Sequence, residues 1–295
     1  MKRLILVVSI VMLIGNSAYG SDNGAGTSVA PFLKLGASAK SAGIGGVSVA
    51  ICEGVDGIWS NPALLANIEL REVLFMRHQW LEEVNFNYLA AVLPLKNQGI
   101  GASINLISTG DQKRTTYSNP DGNGSFKTGG MVLTAGYGRE INNQIQVGVS
   151  AKYINQKLDD KTGTGIGVDI GSLYQTQIDG LVVGVVVQNI GISKITFIEK
   201  EEKLPLIIKA GAGYRIKNTL MGIDISKPND NSVQFNLGGQ YQITPIIDIR
   251  AGYDSSVGIT AGFGISHQNL TLDGSYLLTD EVGSTFRLSA SKKFR

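Results

Sequence analysis

Residues Ile145-Gln146-Val147-Gly148-Val149-Ser150-Ala151-Lys152-Tyr153 alternate strictly between apolar side chains and polar or small ones. Successive side chains of an extended chain point to opposite faces. Ile145, Val147, Val149, Ala151 and Tyr153 therefore share one face, and Gln146, Gly148, Ser150 and Lys152 the other. One face meets an apolar phase and the other something polar. The pattern recurs downstream. Val233, Phe235, Leu237, Gly239 and Tyr241 oppose Gln234, Asn236, Gly238, Gln240 and Gln242. Ile247, Ile249, Ala251 and Tyr253 oppose Asp248, Arg250, Gly252 and Asp254, and Val257, Ile259, Ala261, Phe263 and Ile265 oppose Gly258, Thr260, Gly262, Gly264 and Ser266. From about residue 72 onward the chain divides into about fourteen such strands. Their centres lie near Phe75, Leu89, Ile104, Thr134, Val149, Asp169, Val185, Ala210, Ile223, Leu237, Ile249, Ala261, Leu272 and Leu288. The almost uniformly apolar stretch Leu181 to Ile192 leaves that count open by two.

Alternation alone fits a soluble β-sandwich as well as a barrel in lipid, and the connections discriminate. Counted from the first strand, the even-to-odd ones are mostly tiny: Lys96-Asn97-Gln98, Asn142-Asn143, Lys217-Asn218, Thr244-Pro245 and His267-Gln268-Asn269. Most of the others are longer and polar, running from Gly110 to Gly129, through Asp159-Asp160-Lys161, and through Glu199-Lys200-Glu201-Glu202. Short turns on one rim and long loops on the other are the asymmetry of an outer-membrane barrel, which a sandwich does not require. Tyr137, Tyr174, Tyr214 and Tyr241 precede short turns, and Tyr153, Tyr253 and Tyr276 approach the long-loop rim, as two interfacial girdles require. Phe286, Leu288, Ala290 and the penultimate Phe294 close the chain on one face.

The start of the chain fits export. Lys2 and Arg3 precede an apolar run from Leu4 to Ile14, and Ala18-Tyr19-Gly20 supplies small residues before a cleavage point at Ser21. That run is too short to span a bilayer as a helix, which takes about 20 residues. Membrane insertion therefore requires a closed barrel, the other structure that pairs all its backbone groups. The precursor carries 26 Lys+Arg against 24 Asp+Glu, and removing Lys2 and Arg3 leaves 24 against 24. With no basic excess, nucleic acid is excluded as a partner. The single cysteine, Cys52, permits no intramolecular disulfide and reads as a buried apolar thiol. Glycine is the outlier: 38 of 295 residues, about 13% against an average near 7%. It recurs inside apolar stretches such as Gly211-Ala212-Gly213, where it suits close backbone approach in strands. In a helix each would cost about 1 kcal/mol.

Residues 21 to about 70 differ from the rest. Asn61 is a good N-cap and Pro62 suits the first helical position, so a short helix should begin there. Too small to stand alone, it needs a surface, and the barrel lumen is the nearest. The run Phe32-Leu33-Lys34-Leu35-Gly36, Ala42-Gly43-Ile44-Gly45-Gly46, Val49-Ala50 and Trp59-Ser60-Asn61-Pro62-Ala63-Leu64-Leu65-Ala66 resembles the start of PorV/PorQ-family proteins, relatives of FadL-type fatty-acid channels. In outline the likeness reaches the C-terminal Ser284-Thr285-Phe286-Arg287-Leu288-Ser289. It implies a fourteen-stranded barrel whose N-terminal segment, carrying Asn61, Pro62 and Ala63, folds inward as a hatch. Lys40, Ile44 and Val47 depart from the family's usual Arg, Met and Ala.

Chemistry is sparse. His78 and His267 have no metal-ligand spacing around them. Barrel-embedded lipases use Ser and His, but Ser266 and His267 are strand neighbours that point to opposite faces. Gly163-Thr164-Gly165-Ile166-Gly167 lacks the Lys-Ser/Thr ending of a phosphate loop and runs into a strand. No enzyme, metal or cofactor is expected. Parity places Lys152, Asp169, Lys209, Asp224, Asp248, Arg250, Asp273 and Arg287 in the lumen. Both signs are represented, as in a mutually paired network rather than a sign-selective ion path.

The sequence thus predicts an all-β protein: a transmembrane antiparallel β-barrel of about fourteen strands with an N-terminal luminal hatch. Its divisions are a signal peptide (1–20), the hatch or plug (21–70) and an outer-membrane barrel (71–295). Outer-membrane lipid is the expected surroundings. The resemblance implies an accessory to protein secretion, type IX-like, with secretion-machinery components as partners. The alternative is a FadL-like passive channel for small hydrophobic molecules such as fatty acids.

Overall fold

The structure, a computed structural model, describes residues 27–79, 84–193, 195–197, 201–278 and 285–295. The expected signal peptide, Glu199-Lys200 and Ser284 lie outside the described residues. The strands are β1 (Arg71–Gln79), β2 (Asn85–Leu95), β3 (Gln98–Ser108), β4 (Gln112–Lys113), β5 (Ser125–Phe126), β6 (Thr128–Asn142), β7 (Ile145–Leu158), β8 (Lys161–Gln175), β9 (Leu181–Gly191), β10 (Ile195–Thr196), β11 (Glu201–Glu202), β12 (Ile207–Ile216), β13 (Thr219–Pro228), β14 (Gln234–Gln242), β15 (Ile247–Asp254), β16 (Gly258–His267), β17 (Leu270–Leu277) and β18 (Thr285–Phe294). Fourteen close into one antiparallel barrel, each beside its sequence neighbour, while β4–β5 and β10–β11 form small two-stranded sheets in the long connections. β18 returns to β1, with Arg71 opposite Phe294. Every strand centre read from the sequence falls inside a barrel strand, and Leu181–Gly191 is one strand, so the count is fourteen.

The alternation sorts as expected. Val149 is 44% exposed on the outer face, whereas its neighbours Ser150 and Lys152 are 1% and 2% exposed inside. Phe75, Leu133, Ile170, Ile223, Leu237, Ile249, Phe263 and Leu288 are all exposed on the outside of the wall. An apolar belt around a whole barrel far exceeds the few hundred Å² a soluble monomer exposes, and matches a lipid-facing band. Among the described residues no helix is long and apolar enough to cross a membrane.

One loop differs from expectation. Asp159-Asp160-Lys161 is a two-residue turn, because β7 and β8 run on in register to Leu158 opposite Lys161. The apolar alternation stops after Tyr153, but ladder pairing still satisfies the backbone there, so the strands outlast their pattern. β6, β7 and β8 reach 15, 14 and 15 residues, against 8 each for β15 and β17. A second irregularity lies where β8 and β9 shift register between Val168 and Ile170. Asn189 adopts φ 59° there, a left-handed conformation that Asn tolerates. As in a bulge, Gln188 and Asn189 are consecutive yet both buried inside.

Residues 27–70 lie inside the barrel as short turns and helices: Pro31–Lys34, Ala39–Gly43, Gly54–Asp56, Gly57–Ser60 and Pro62–Asn67. Their seat explains much of the glycine excess. On the inner face Gly99 is opposite Gly138, Gly138 opposite Gly148, and Gly148 opposite Gly171. A second row runs Gly213, Gly222, Gly238, Gly252 across β12 to β15. A Cβ on Gly138 would lie 2.6 Å from the Pro62 carbonyl oxygen; one on Gly252 would collide with the Gly45 amide nitrogen. The first row cradles residues 61–66 and the second residues 44–51, with backbone against backbone at Gly99, Gly138, Gly148, Gly238 and Gly252 and the side chains of Asn61, Ile51 and Val47 against the others.

Candidate functional site

The luminal segment is fixed by its own sequence first. Asn61 caps the turn that begins at Pro62 by accepting from the Ala63 amide at 3.1 Å, while its Nδ2 donates to the Val49 carbonyl at 3.0 Å. Pro62 lies against the glycine row, and Ala63 is fully buried beside Ala50, Cys52, Leu64 and Leu173. Asn61, Pro62 and Ala63 therefore form a staple that holds two passes of the segment together against the wall.

The eight luminal charges sort into four arrangements. Lys152 and Asp169 pair at 2.7 Å, both essentially unexposed, and Lys152 also lies 4.8 Å over the Trp59 ring. Arg250 joins Asp273 at 2.7 Å and Asp248 at 3.7 Å. Asp224 and Arg287 instead grip the luminal segment. Asp224 accepts from the Ser48 and Val49 amides at 2.7 and 3.0 Å, and Arg287 donates to the Gly36 carbonyl at 2.9 Å. Lys209 faces the cavity described next.

Two cavities flank the segment, one toward each rim. The upper, about 320 Å³, reaches the long-loop rim at Asp254, Ser256 and Val257. It is lined by Leu33, Leu35, Trp59, Ile207 and Leu277 alongside Lys209, Arg287, Gln188 and Asn236. The lower, about 400 Å³, reaches the short-turn rim at Gln175, Gly180 and Lys293. At the lower cavity Glu53 binds Lys40 at 3.3 Å and also Arg215, and the Lys40 charge beside it holds its carboxyl down at about 2.

Asp56 is the strained group. Ser38 donates to its Oδ2 at 2.8 Å, but Oδ1 is buried with no hydrogen-bond partner. Burial pushes its pKa up to about 7, the Ser38 bond pulling the other way. An acid whose folded pKa is raised costs nothing below its unfolded value near 3.9. The penalty then grows as pH rises toward 7, to about 4 kcal/mol. Asp56→Asn should therefore stabilise the barrel at pH 8 and leave it unchanged at pH 4, as measured by the temperature at which the folded gel band converts to the unfolded one. A pH-independent shift would contradict this account.

Sequence reasoning missed several neutral groups that hold the segment. Gln188 donates to the Trp59 and Ser60 carbonyls, Asn236 to the Gly45 carbonyl, and Thr260 accepts from the Gly45 amide. Lys34 pairs with Asp230 at 2.6 Å. Gln188-Asn189 breaks an apolar run and could have been flagged; nothing singles out Asn236 or Thr260 beyond inward parity. Ser266 Oγ lies 2.9 Å from Thr271 Oγ1, across the strand pair rather than on a histidine.

No family model and no curated protein sequence matches the chain. Among solved structures it is similar to the toluene transporter TbuX of Ralstonia pickettii, with TM-score 0.66 and 13% identity over 89% of this chain and 100% of that one. It is also similar to the CymD monoaromatic hydrocarbon channel, with TM-score 0.67 and 15% identity over 88% of this chain and 98% of that one. A Pseudomonas aeruginosa FadL homologue gives TM-score 0.58 and 12% identity over 87% and 98%. At such identities the likeness is one of fold, a barrel with a short N-terminal segment.

Proposed function

We propose that the chain is a non-enzymatic channel of the bacterial outer membrane that passes small hydrophobic or weakly amphipathic molecules down their gradients. The observation that carries this is a closed barrel, apolar outside, whose luminal segment leaves a cavity open toward each rim. At about 320 and 400 Å³ both sit at the bottom of the range for small-molecule sites, which suits a single ring better than a long acyl chain. The mixed lining of the upper cavity suits an apolar body with one polar edge. Solved structures named as toluene and monoaromatic hydrocarbon channels support the same class.

The secretion-accessory reading rests on the sequence resemblance, and the structural likeness favours the channel. Outer-membrane vesicles bearing the protein should take up a radiolabelled single-ring aromatic alcohol at least several-fold faster than vesicles lacking it. Equal rates would overturn the channel. Crosslinking that recovers export components from the same membranes would then restore the secretion reading.

A further inference from the structure

The upper and lower cavities have one lining residue in common, Cys52. Its apolar neighbours are Ala50, Ala63, Leu64 and Leu173, with Ser60 and Asp56 on its polar side, and as the one residue lining both cavities it makes the partition at this point one residue thick. The chain is pinned on either side of it. Asp224 holds the amides of Ser48 and Val49, and Glu53 is tied to Lys40 and Arg215. Residues 50–52 lie between the two clamps. The buried carboxylate of Asp56, with Oδ1 unpartnered, lines the upper cavity beside Cys52 and offers a polar group to whatever reaches the partition.

We infer that solutes cross this barrel axially through the partition at residues 50–52, and that the Cys52 side chain is the barrier of that path, shut in this structure. The inference rests on the channel reading and adds the route to it. It assigns Cys52 no reaction; the side chain acts by its size, and by the absence of a second layer behind it.

The test uses the full mature protein with two variants. Cys52→Gly removes the side chain without requiring new space, and should raise small-ion conductance in planar bilayers at least threefold over the native barrel. Cys52→Trp should abolish accelerated uptake of the aromatic alcohol while the barrel still shifts on boiling. Native conductance in Cys52→Gly, or native uptake in a folded Cys52→Trp, would overturn the axial route and send the solute through the wall. If the native protein passes no solute the channel reading fails by itself, and the Cys52→Gly conductance still decides whether this is the partition.

Discussion

Replacing Gly148 with valine should unseat the luminal segment while leaving the barrel closed. The first added carbon falls on the Pro62 carbonyl carbon and the Ala63 amide nitrogen. Both are backbone atoms, so no rotamer change relieves the clash. The wall cannot retreat either, because Gly148 is paired to Gly138 on one side and Gly171 on the other. The segment must lift, and lifting breaks the Asn61 bonds to Val49 and Ala63. Overpacking a core typically costs about 1–3 kcal/mol where side chains can yield. Here nothing yields, and the expected result is a heat-modifiable barrel with a conductance at least tenfold higher and a segment open to trypsin at Lys34 and Lys40. Ala151→Val, on the outer face of the same strand, should change neither. A Gly148→Val protein with native conductance and native digestion would show that the glycine rows are not a seat.

The second large effect should come from Lys152 and Asp169. Removing one member of a buried pair leaves the other charged and dry, which typically costs about 3–5 kcal/mol. Lys152→Met strands Asp169, whose remaining partner is the Asn189 amide at 2.7 Å, and also loses the bond from Lys152 to Asn189 Oδ1 at 2.8 Å. Lys152→Met/Asp169→Leu strands no charge and should regain at least half of the loss, the residual being the unpaired amide at the bulge. Urea midpoints for refolding into lipid vesicles measure Lys152→Met, Asp169→Leu and the double variant. Losses that simply add would mean the two side chains stand alone.

Legibility followed the physics that acts on each part. Strand positions were readable because a wall between lipid and a polar lumen imposes a period of two on every crossing, and a turn signal ends each one. Where lipid ceases to constrain the wall the pattern fades, so the sequence points to a longer connection at Asp159-Asp160 where β7 and β8 in fact pair up to a two-residue turn. The glycine excess was visible and assigned to close approach, but its partner was not. Only pairing shows that Gly138, Gly148 and Gly171 stand side by side, since nothing local links residues so distant in sequence. For the candidate site, parity put the eight charges inside; which of them would pair and which would grip the segment depends on register and on chain folded from residues 27–70. Cys52 was correctly read as buried and apolar, yet its position between two cavities has no sequence signature.

The unequal strand lengths give the rim a profile. Because the short turns share one rim, the excess of β6, β7 and β8 over β15 and β17, 15 or 14 residues against 8, projects on the opposite side. Seven residues at about 3.3 Å each, tilted about 40°, stand roughly 18 Å proud. The upper cavity's wall residues come largely from β12 to β18, the low flank. A molecule approaching that rim thus meets a parapet from one compass direction and an open sill from the other, so the barrel has a front and a back.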